Sequence, residues 1–194
     1  LNKCKSISEI KDWLRSNNLF NTCTILVVTP KYDGISLVVN EETKEAWTRG
    51  DGEFGQVSTD HFQRVIGCNC RVTEVYSFGE AIMSHKRFLN HKDKYANPRN
   101  MVAGLFNRDV PPEELEDVDY IRYGVEYVDH ENMELSRALQ IVALNELNSV
   151  KVPFAYLLID ELNEETLDEL YKEWSKDYQI DGLVIEIEYT DIQN

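Results

Sequence analysis

The stretch VVTPKYDGISL, residues 27–37, sets one lysine between two runs rich in β-branched and other apolar residues. Residues 24–28 and 34–39 have the composition of short β-strands, and the Asp-Gly pair between them is typical of a tight turn. Lys31 is therefore predicted to lie at a strand end and to face any ligand that binds against the sheet. Because a lysine before a turn is usually a solvated surface residue, Lys-x-Asp-Gly alone is a weak signal.

The chemistry of these residue types gives the lysine a second interpretation. A lysine amine that loses its proton can attack an activated phosphorus or carbonyl carbon. Gly34 allows the backbone to turn tightly, and Asp33 can orient a reacting group or a hydrated cation. Lys31 and Asp33 are therefore candidate catalytic residues.

Composition narrows the class of protein. The 194 residues, 42% of them hydrophobic, suffice for a packed core. No apolar run approaches the roughly 20 residues needed to span a bilayer, and the first residues form no signal-peptide pattern. We therefore expect a soluble, cytoplasmic protein with no membrane partner. The net charge is -15, whereas a domain that binds nucleic acid by itself usually carries a positive charge. If the partner is nucleic acid, other domains are expected to provide most of the contacts.

The four cysteines give no metal signature. Cys4, Cys23, Cys68 and Cys70 form no CxxC pair, and the Cys-Asn-Cys spacing of the last two is too tight for the usual zinc ligands. We predict reduced, structural thiols and no metal site built from protein side chains.

The remaining pattern predicts one α+β domain over residues 1–194, without repeats, low-complexity tracts or a clear linker. A serine, Ser6 or Ser8, can cap the first helix, and Pro98 suits the first turn of a later one. Strand 45–48 is expected to pair with strand 34–39. The other predicted elements are helices 84–91, 135–147 and 165–174 and strands 71–83, 120–128 and 183–185.

Further segments follow in a fixed order: TRGDGEFGQV (48–57), FGEAIM (78–83), YANPRNMVAG (95–104), YIRYGVEYV (120–128) and DGLVIEIE (181–188). Together with PKYDG they resemble the adenylation domain of the NAD-dependent DNA ligases, over residues 1 to about 188. TRGDG with ANPRN favours this family over the ATP-dependent ligases. The resemblance implies a nucleotidyltransferase fold, similar to ATP-grasp ligase domains, with antiparallel sheets flanked by helices.

The resemblance also implies a reaction. In that family a lysine attacks the α-phosphate of NAD, releases nicotinamide mononucleotide and keeps AMP as a phosphoramide. The AMP then passes to a 5′-phosphate at a DNA nick, and the 3′-hydroxyl displaces it. By position Lys31 is the expected nucleophile and Asp33 part of the same signature. The expected cofactors are NAD and Mg²⁺, and the expected partner is nicked duplex DNA.

Four more residues match binding positions of the family. Arg49 is expected at the ribose or phosphates, since a guanidinium suits oxyanions, and Arg99 near a helix start that favours phosphate. Glu80 is expected to accept a hydrogen bond from the ribose 2′-hydroxyl, and Tyr123 to stack on adenine. The alternatives are a surface arginine beside a Gly50-Asp51-Gly52 turn, a strand-end glutamate and a core tyrosine.

Three positions depart from the family pattern. Thr29 stands where a glutamate reads the adenine amino group, and Glu186 where a lysine reaches the α-phosphate. For Glu186 three outcomes stay open: the carboxylate turns away, another cation substitutes, or the first step is slow. Asn107 stands where an arginine is expected, and Arg108, one residue late, is rotated by about 100° on a helix.

Some parts of such ligases are not expected in this sequence. It ends before the last lysine motif of the core, and the N-terminal nicotinamide-recognition module, OB-fold, zinc finger and helix-hairpin-helix parts are absent from it. The expectation is a fragment or one subunit of a split ligase, as in some phages, with DNA held by missing domains or a partner subunit. Two classes stay open: an active adenylation domain, or a degenerate one that binds nucleotide or a partner protein without catalysis.

Overall fold

The computed structural model describes residues 3–49, 55–70, 72–128 and 136–188, which form two antiparallel sheets with helices around them. The predicted Gly50-Asp51-Gly52 turn lies outside these residues. The first sheet has the order β6-β1-β7 and the second β3-β2-β4-β5. The strands are β1 (Ile25–Tyr32), β2 (Ile35–Asn40), β3 (Ala46–Thr48), β4 (Val75–Ile82), β5 (Asp119–Tyr127), β6 (Ala155–Leu158) and β7 (Ile180–Ile187).

The helices begin at residues that satisfy their first amides. The α-helices are α1 (Ile7–Ser16), α2 (Thr59–Phe62), α3 (His85–Phe88), α4 (Pro98–Phe106), α5 (Arg137–Asn145) and α6 (Glu164–Trp174), with 3₁₀ turns at Glu113–Asp117 and Ile159–Glu161. Ser6 caps α1 by accepting from the amide of Glu9, and Pro98 follows the cap Asn97, as the sequence predicts. None of the helices in the described residues is long and apolar enough to cross a membrane.

The turn after Lys31 carries the chain from one sheet to the other. β1 pairs with β6 and β7, whereas β2 pairs with β3 and β4, so the two strands around the Asp-Gly turn do not pair with each other. Gly34 lies so close to β4 that a Cβ there would stand 2.1 Å from the carbonyl oxygen of Ala81. The glycine is therefore needed for this close approach of the two backbones.

Three hydrophobic clusters fix the sheets. Leu26, Val28 and the β7 residues Leu183, Ile185 and Ile187 pack against α1 and α6 on one face of the first sheet. Its other face meets the second sheet through a cluster that includes Val27, Ile82, Ile121 and Ile141. The third cluster packs α4 against the second sheet. Side chains that point between the sheets therefore come from alternate positions of β1 and β7.

A buried ion pair also ties the second sheet together. Arg122 of β5 is fully buried, and its Nε and Nη2 atoms lie 2.6 and 3.2 Å from the carboxylate of Glu41, just after β2. Ser77 and Cys70 donate further hydrogen bonds to that carboxylate. Burial raises the pKa of Glu41, but the hydrogen bonds and charge of Arg122, with these two donors, outweigh it and lower the pKa to about 2.

The structure corrects some predicted boundaries and adds one strand. β4 begins at Val75 rather than at residue 71, α3 has four residues, and β7 is longer than predicted. β6 was not predicted: it is a four-residue edge strand with exposed Tyr156 and Leu158, so its pattern carries little burial signal. The predicted pairing of strand 45–48 with strand 34–39 is confirmed.

Candidate active site

Lys31 lies where β1 leaves the first sheet. Its Nζ donates to both carboxylate oxygens of Asp181 at 2.8 Å. Asp181 belongs to the neighbouring strand β7, and the pairing of β1 with β7 shifts register between Pro30 and Tyr32, beside the lysine. Both side chains are a little over 40% exposed. The amine is therefore held in one place by a carboxylate but remains open to a substrate.

A second ion pair lies beside the first. Nε of Arg99 lies 2.8 Å from a carboxylate oxygen of Asp33 in an ion pair, and the side-chain amide of Gln179 donates a hydrogen bond to Asp33 at 2.9 Å. Arg99 is the second residue of α4, so the helix start also faces this cluster. Burial and then the charge of Asp181 raise the pKa of Asp33, although Arg99 and Lys31 oppose the shift. Lys31, Asp33, Arg99 and Asp181 thus form one group of alternating charges.

Glu80 of β4 stands under the turn that follows the lysine. Its carboxylate accepts hydrogen bonds from Oγ of Ser36 at 2.9 Å and from the backbone amide of Gly34 at 3.2 Å. Only 8% of Glu80 is exposed. Burial raises the pKa of Glu80 to about 7, since these two bonds and the charge of Lys31 offset it only in part. The carboxyl group is thus a buried acceptor with no directly bonded cation among the described residues.

Tyr123 and Arg49 come together with Glu80. Tyr123 follows the register shift between β4 and β5, and the amide of Arg49 donates to the carbonyl oxygen of Ser36. Burial and then the charge of Glu80 raise the pKa of Tyr123, while a hydrogen bond with Ser36 and the charge of Arg49 lower it. The three predicted binding residues Arg49, Glu80 and Tyr123 are therefore near one another around Ser36.

Glu186 and Thr29 lie further back along the same strand pair. Thr29 is buried opposite Val184, and Glu186 lies opposite Val27. Since Leu183, Ile185 and Ile187 pack against the helices, alternation directs Glu186 to the face of Thr29. Of the outcomes left open for Glu186, this pairing does not favour a carboxylate turned to the opposite face of the sheet.

A cation does accompany Glu186. Arg137, the first residue of α5, places its Nε 2.7 Å from Oε2 of Glu186. Glu186 pairs with Val27 of β1, which lies four positions before Lys31. Four strand residues correspond to about 13 Å between the level of Glu186 and the level of Lys31. In this arrangement the carboxylate of Glu186 is paired with a cation and lies away from Lys31 along the strand.

The predicted site residues did not include Asp181, Gln179, Ser36 or Arg137. Asp181 could have been found from the sequence, because it begins the DGLVIEIE segment and forms an Asp-Gly pair just before the predicted strand. For Arg137 the sequence indicated only a position near the start of a helix. Arg108, one residue after the position at which an arginine is expected, donates to the hydroxyl of Tyr95 at 3.0 Å.

The described residues offer no metal site of their own. No group of three or more His, Cys, Asp or Glu side chains in the described ranges could hold an ion. Asp33 and Asp181, the two carboxylates beside Lys31, are each bonded to a cationic side chain. Magnesium often binds through substrate phosphates with only one or two carboxylates, but these residues as placed do not form such a site.

Comparison with known proteins matches the whole chain to one family. The family model of the NAD-dependent DNA ligase adenylation domain covers residues 1–194. Similar curated proteins include the DNA ligases of Acanthamoeba polyphaga mimivirus, 33% identical over 82% of the chain, and Natranaerobius thermophilus, 30% identical over 92%. The DNA ligase of Sorangium cellulosum is 30% identical over 87%.

The match covers only part of each relative. The chain spans 26%, 29% and 25% of the lengths of these three ligases. The family match nevertheless extends over every segment that carries the candidate site, from PKYDG to DGLVIEIE. This chain therefore belongs to the family of NAD-dependent DNA ligase adenylation domains.

Proposed function

We propose that Lys31 is the nucleophile of an NAD-dependent adenylylation. The amine gives up one proton, its Nζ forms a bond to the α-phosphorus of NAD, and the bond from that phosphorus to the bridging oxygen breaks. Nicotinamide mononucleotide leaves and AMP stays as a phosphoramide on the lysine. The observation that carries this proposal is the half-exposed Lys31 amine held by both oxygens of Asp181.

The surrounding residues support distinct tasks. Asp181 orients the amine and is placed to accept its proton, because it already contacts Nζ. Arg99 is half exposed, and its guanidinium can turn from Asp33 to a phosphate oxygen. Glu80 would accept a hydrogen bond from the ribose 2′-hydroxyl, and Tyr123 would stack on the base. Arg49 supplies positive charge beside them.

The fold and the later steps belong to the same proposal. Two antiparallel sheets that meet at the lysine support a nucleotidyltransferase fold. AMP on Lys31 would pass to a 5′-phosphate at a nick in duplex DNA, with Mg²⁺ carried by the substrate phosphates. Because the chain carries a net charge of -15, most of the DNA contact would come from other domains or a partner subunit.

Intact mass spectrometry tests the proposal. The chain is incubated with millimolar NAD and Mg²⁺, and in parallel with ATP and Mg²⁺, for several hours. We expect a gain of one AMP with NAD and none with ATP. A long incubation is needed because nicotinamide recognition is expected to lie outside these residues. An adduct with ATP alone would contradict the use of NAD. No adduct with NAD while AMP binds in calorimetry would contradict the proposed catalysis and favour a nucleotide-binding role.

A further inference from the structure

Gln179 contacts both partners of the ion pair between Asp33 and Arg99. Its side-chain amide donates to Oδ2 of Asp33 at 2.9 Å, and its side-chain carbonyl oxygen accepts from the backbone amide of Arg99 at 3.3 Å. Its backbone carbonyl oxygen accepts from the amide of Asp33 at 3.0 Å. Gln179 directly precedes β7, so it connects the turn after Lys31 and the start of α4 to the strand that carries Asp181.

These contacts occupy both carboxylate oxygens of Asp33. Nε of Arg99 is paired with Oδ1 and Gln179 with Oδ2, while Lys31 bonds to Asp181 instead. The charge of Lys31 nevertheless lowers the pKa of Asp33, so the amine lies within electrostatic reach of both carboxylates. A neutral amide on Oδ2 therefore favours Asp181 over Asp33 as the partner of the amine.

The proposed adenylylation makes this neutral contact more important. When Arg99 turns to a phosphate oxygen, Asp33 loses its paired cation, although its side chain is only 17% exposed. Burial and the charge of Asp181 raise the pKa of Asp33, and the hydrogen bond from Gln179 is among the contacts that lower it. The amide of Gln179 then still holds the carboxylate, and its carbonyl oxygen still holds the start of α4.

We propose that Gln179 is a positioning residue for the adenylylation. It holds Asp33 and the start of α4 in place, so that Arg99 can move to a phosphate oxygen while Lys31 stays on Asp181. The proposal rests on the proposed function, since it takes Lys31 as the nucleophile. The role requires a side chain that donates to an anion and accepts from a backbone amide at the same time, which an amide does and an ionised carboxylate does not.

An ionisable group in place of this amide makes the role depend on pH. The charged groups that face Asp33 are Lys31 of β1, Arg99 of α4, Asp181 of β7 and Glu80 of β4. Gln179→Glu adds a carboxyl group within hydrogen-bond distance of Asp33, and two carboxyl groups so close share one proton up to a raised pKa. Below that pKa the new group donates to Asp33 as the amide does. Above it the donor is lost, and an additional anion attracts the ammonium of Lys31.

The initial rate of nicotinamide mononucleotide release from NAD, measured by liquid chromatography between about pH 5.5 and pH 8.5, tests the proposal. At the alkaline end Gln179→Glu should be about 10–100-fold slower than the wild type, the range of one charge-assisted hydrogen bond. At the acidic end the two rates should differ by less than about threefold. Gln179→Met cannot titrate and should be slower than the wild type by the same factor throughout. The matched control is Gln63→Glu, which adds the same charge at an exposed position after α2 and should follow the wild type.

The outcomes separate this role from the proposed function. If the wild type releases no nicotinamide mononucleotide, the proposed function fails and the role of Gln179 fails with it. If the wild type reacts and Gln179→Glu keeps the wild-type rate at alkaline pH, the positioning role is wrong while Lys31 stands as the nucleophile. A rate of Gln179→Glu that is lowered by the same factor at every pH would also overturn the role, because it would reflect structural damage. Circular dichroism checks that each variant is folded, and Gln179→Glu alone decides the matter if Gln179→Met is not.

Discussion

Two buried carboxylates, Glu41 and Glu80, lie in the same four-stranded sheet region and differ in what faces them. Glu41 is bonded by the fully buried Arg122, and its pKa is lowered to about 2 although burial opposes this. Among the described residues, the donors to Glu80 are a hydroxyl and an amide, and burial raises its pKa to about 7. The fold gives Glu41 a complete counter-charge, which makes this carboxylate structural, whereas Glu80 keeps the acceptor capacity that the proposed function assigns to the ribose.

The same contrast holds for the cations. Arg122 is fully buried and donates hydrogen bonds to Glu41, to the carbonyl oxygen of Gly67 and to nearby groups. Lys31 is 42% exposed and bonds to Asp181 at the rim of the sheet. An exposed pair adds little to stability because solvent screens it, whereas a broken buried pair leaves an uncompensated charge. The first network should therefore matter for folding and the second for chemistry.

Removing the buried cation should have the largest effect on folding. Arg122→Met leaves Glu41 buried without its partner, so the free energy of unfolding should fall by about 3–5 kcal/mol. Urea denaturation followed by circular dichroism measures this. Lys31→Met, the matched change in the other network, should cost less than about 1 kcal/mol. Equal losses in the two variants would contradict the division between a structural and a chemical network.

Neutralising the partner of the nucleophile should affect the reaction but not the fold. Asp181→Asn keeps the size of the side chain but weakens the contact that orients Nζ of Lys31. The rate of AMP adduct formation with NAD should fall about 10–100-fold, the equivalent of about 1.5–3 kcal/mol for a charge-assisted hydrogen bond. Quenched samples analysed by mass spectrometry give the rate. Asp168→Asn on α6 is the control, and a wild-type rate in Asp181→Asn would show that this carboxylate is dispensable.

The raised pKa of Glu80 predicts a pH dependence of stability. The folded pKa, about 7, lies above the ordinary value of 4.5, so the folded state binds the extra proton between these values. The contribution of Glu80 to stability is therefore full below pH 4.5 and is lost as the pH rises through 7. Between pH 5 and pH 8 the free energy of unfolding of Glu80→Gln, measured by urea denaturation, should rise relative to that of the wild type. The relative change should be about 1–3 kcal/mol at most.

A constant difference between the two proteins over that range would show that Glu80 is ionised throughout. For Glu41 the sign is opposite, because its folded pKa is lowered. Its contribution is present at neutral pH and is lost as the pH falls from 4.5 towards 2.

The sequence predicted what is local and missed what is distant. The strands around Lys31 and the helix that begins at Pro98 follow from residue type and spacing, and the structure contains them. The partner of Lys31 could not be read in this way, because Asp181 is 150 positions away and meets it only through the pairing of β1 with β7. The buried ion pair of Arg122 could not be predicted for a similar reason. An arginine in an apolar strand does not indicate its partner, and Glu41 is 81 positions away along the chain.

The position of AMP on the protein tests the central claim most directly. The wild-type chain is incubated with NAD and Mg²⁺, digested at neutral to alkaline pH, at which a phosphoramide survives, and sequenced by mass spectrometry. We predict AMP on Lys31 alone, and no adduct on Lys31→Ala, which should remain folded and denature in urea near the wild-type concentration. AMP on any other residue of the wild type, or an undiminished adduct on Lys31→Ala, would contradict the assignment of Lys31 as the nucleophile.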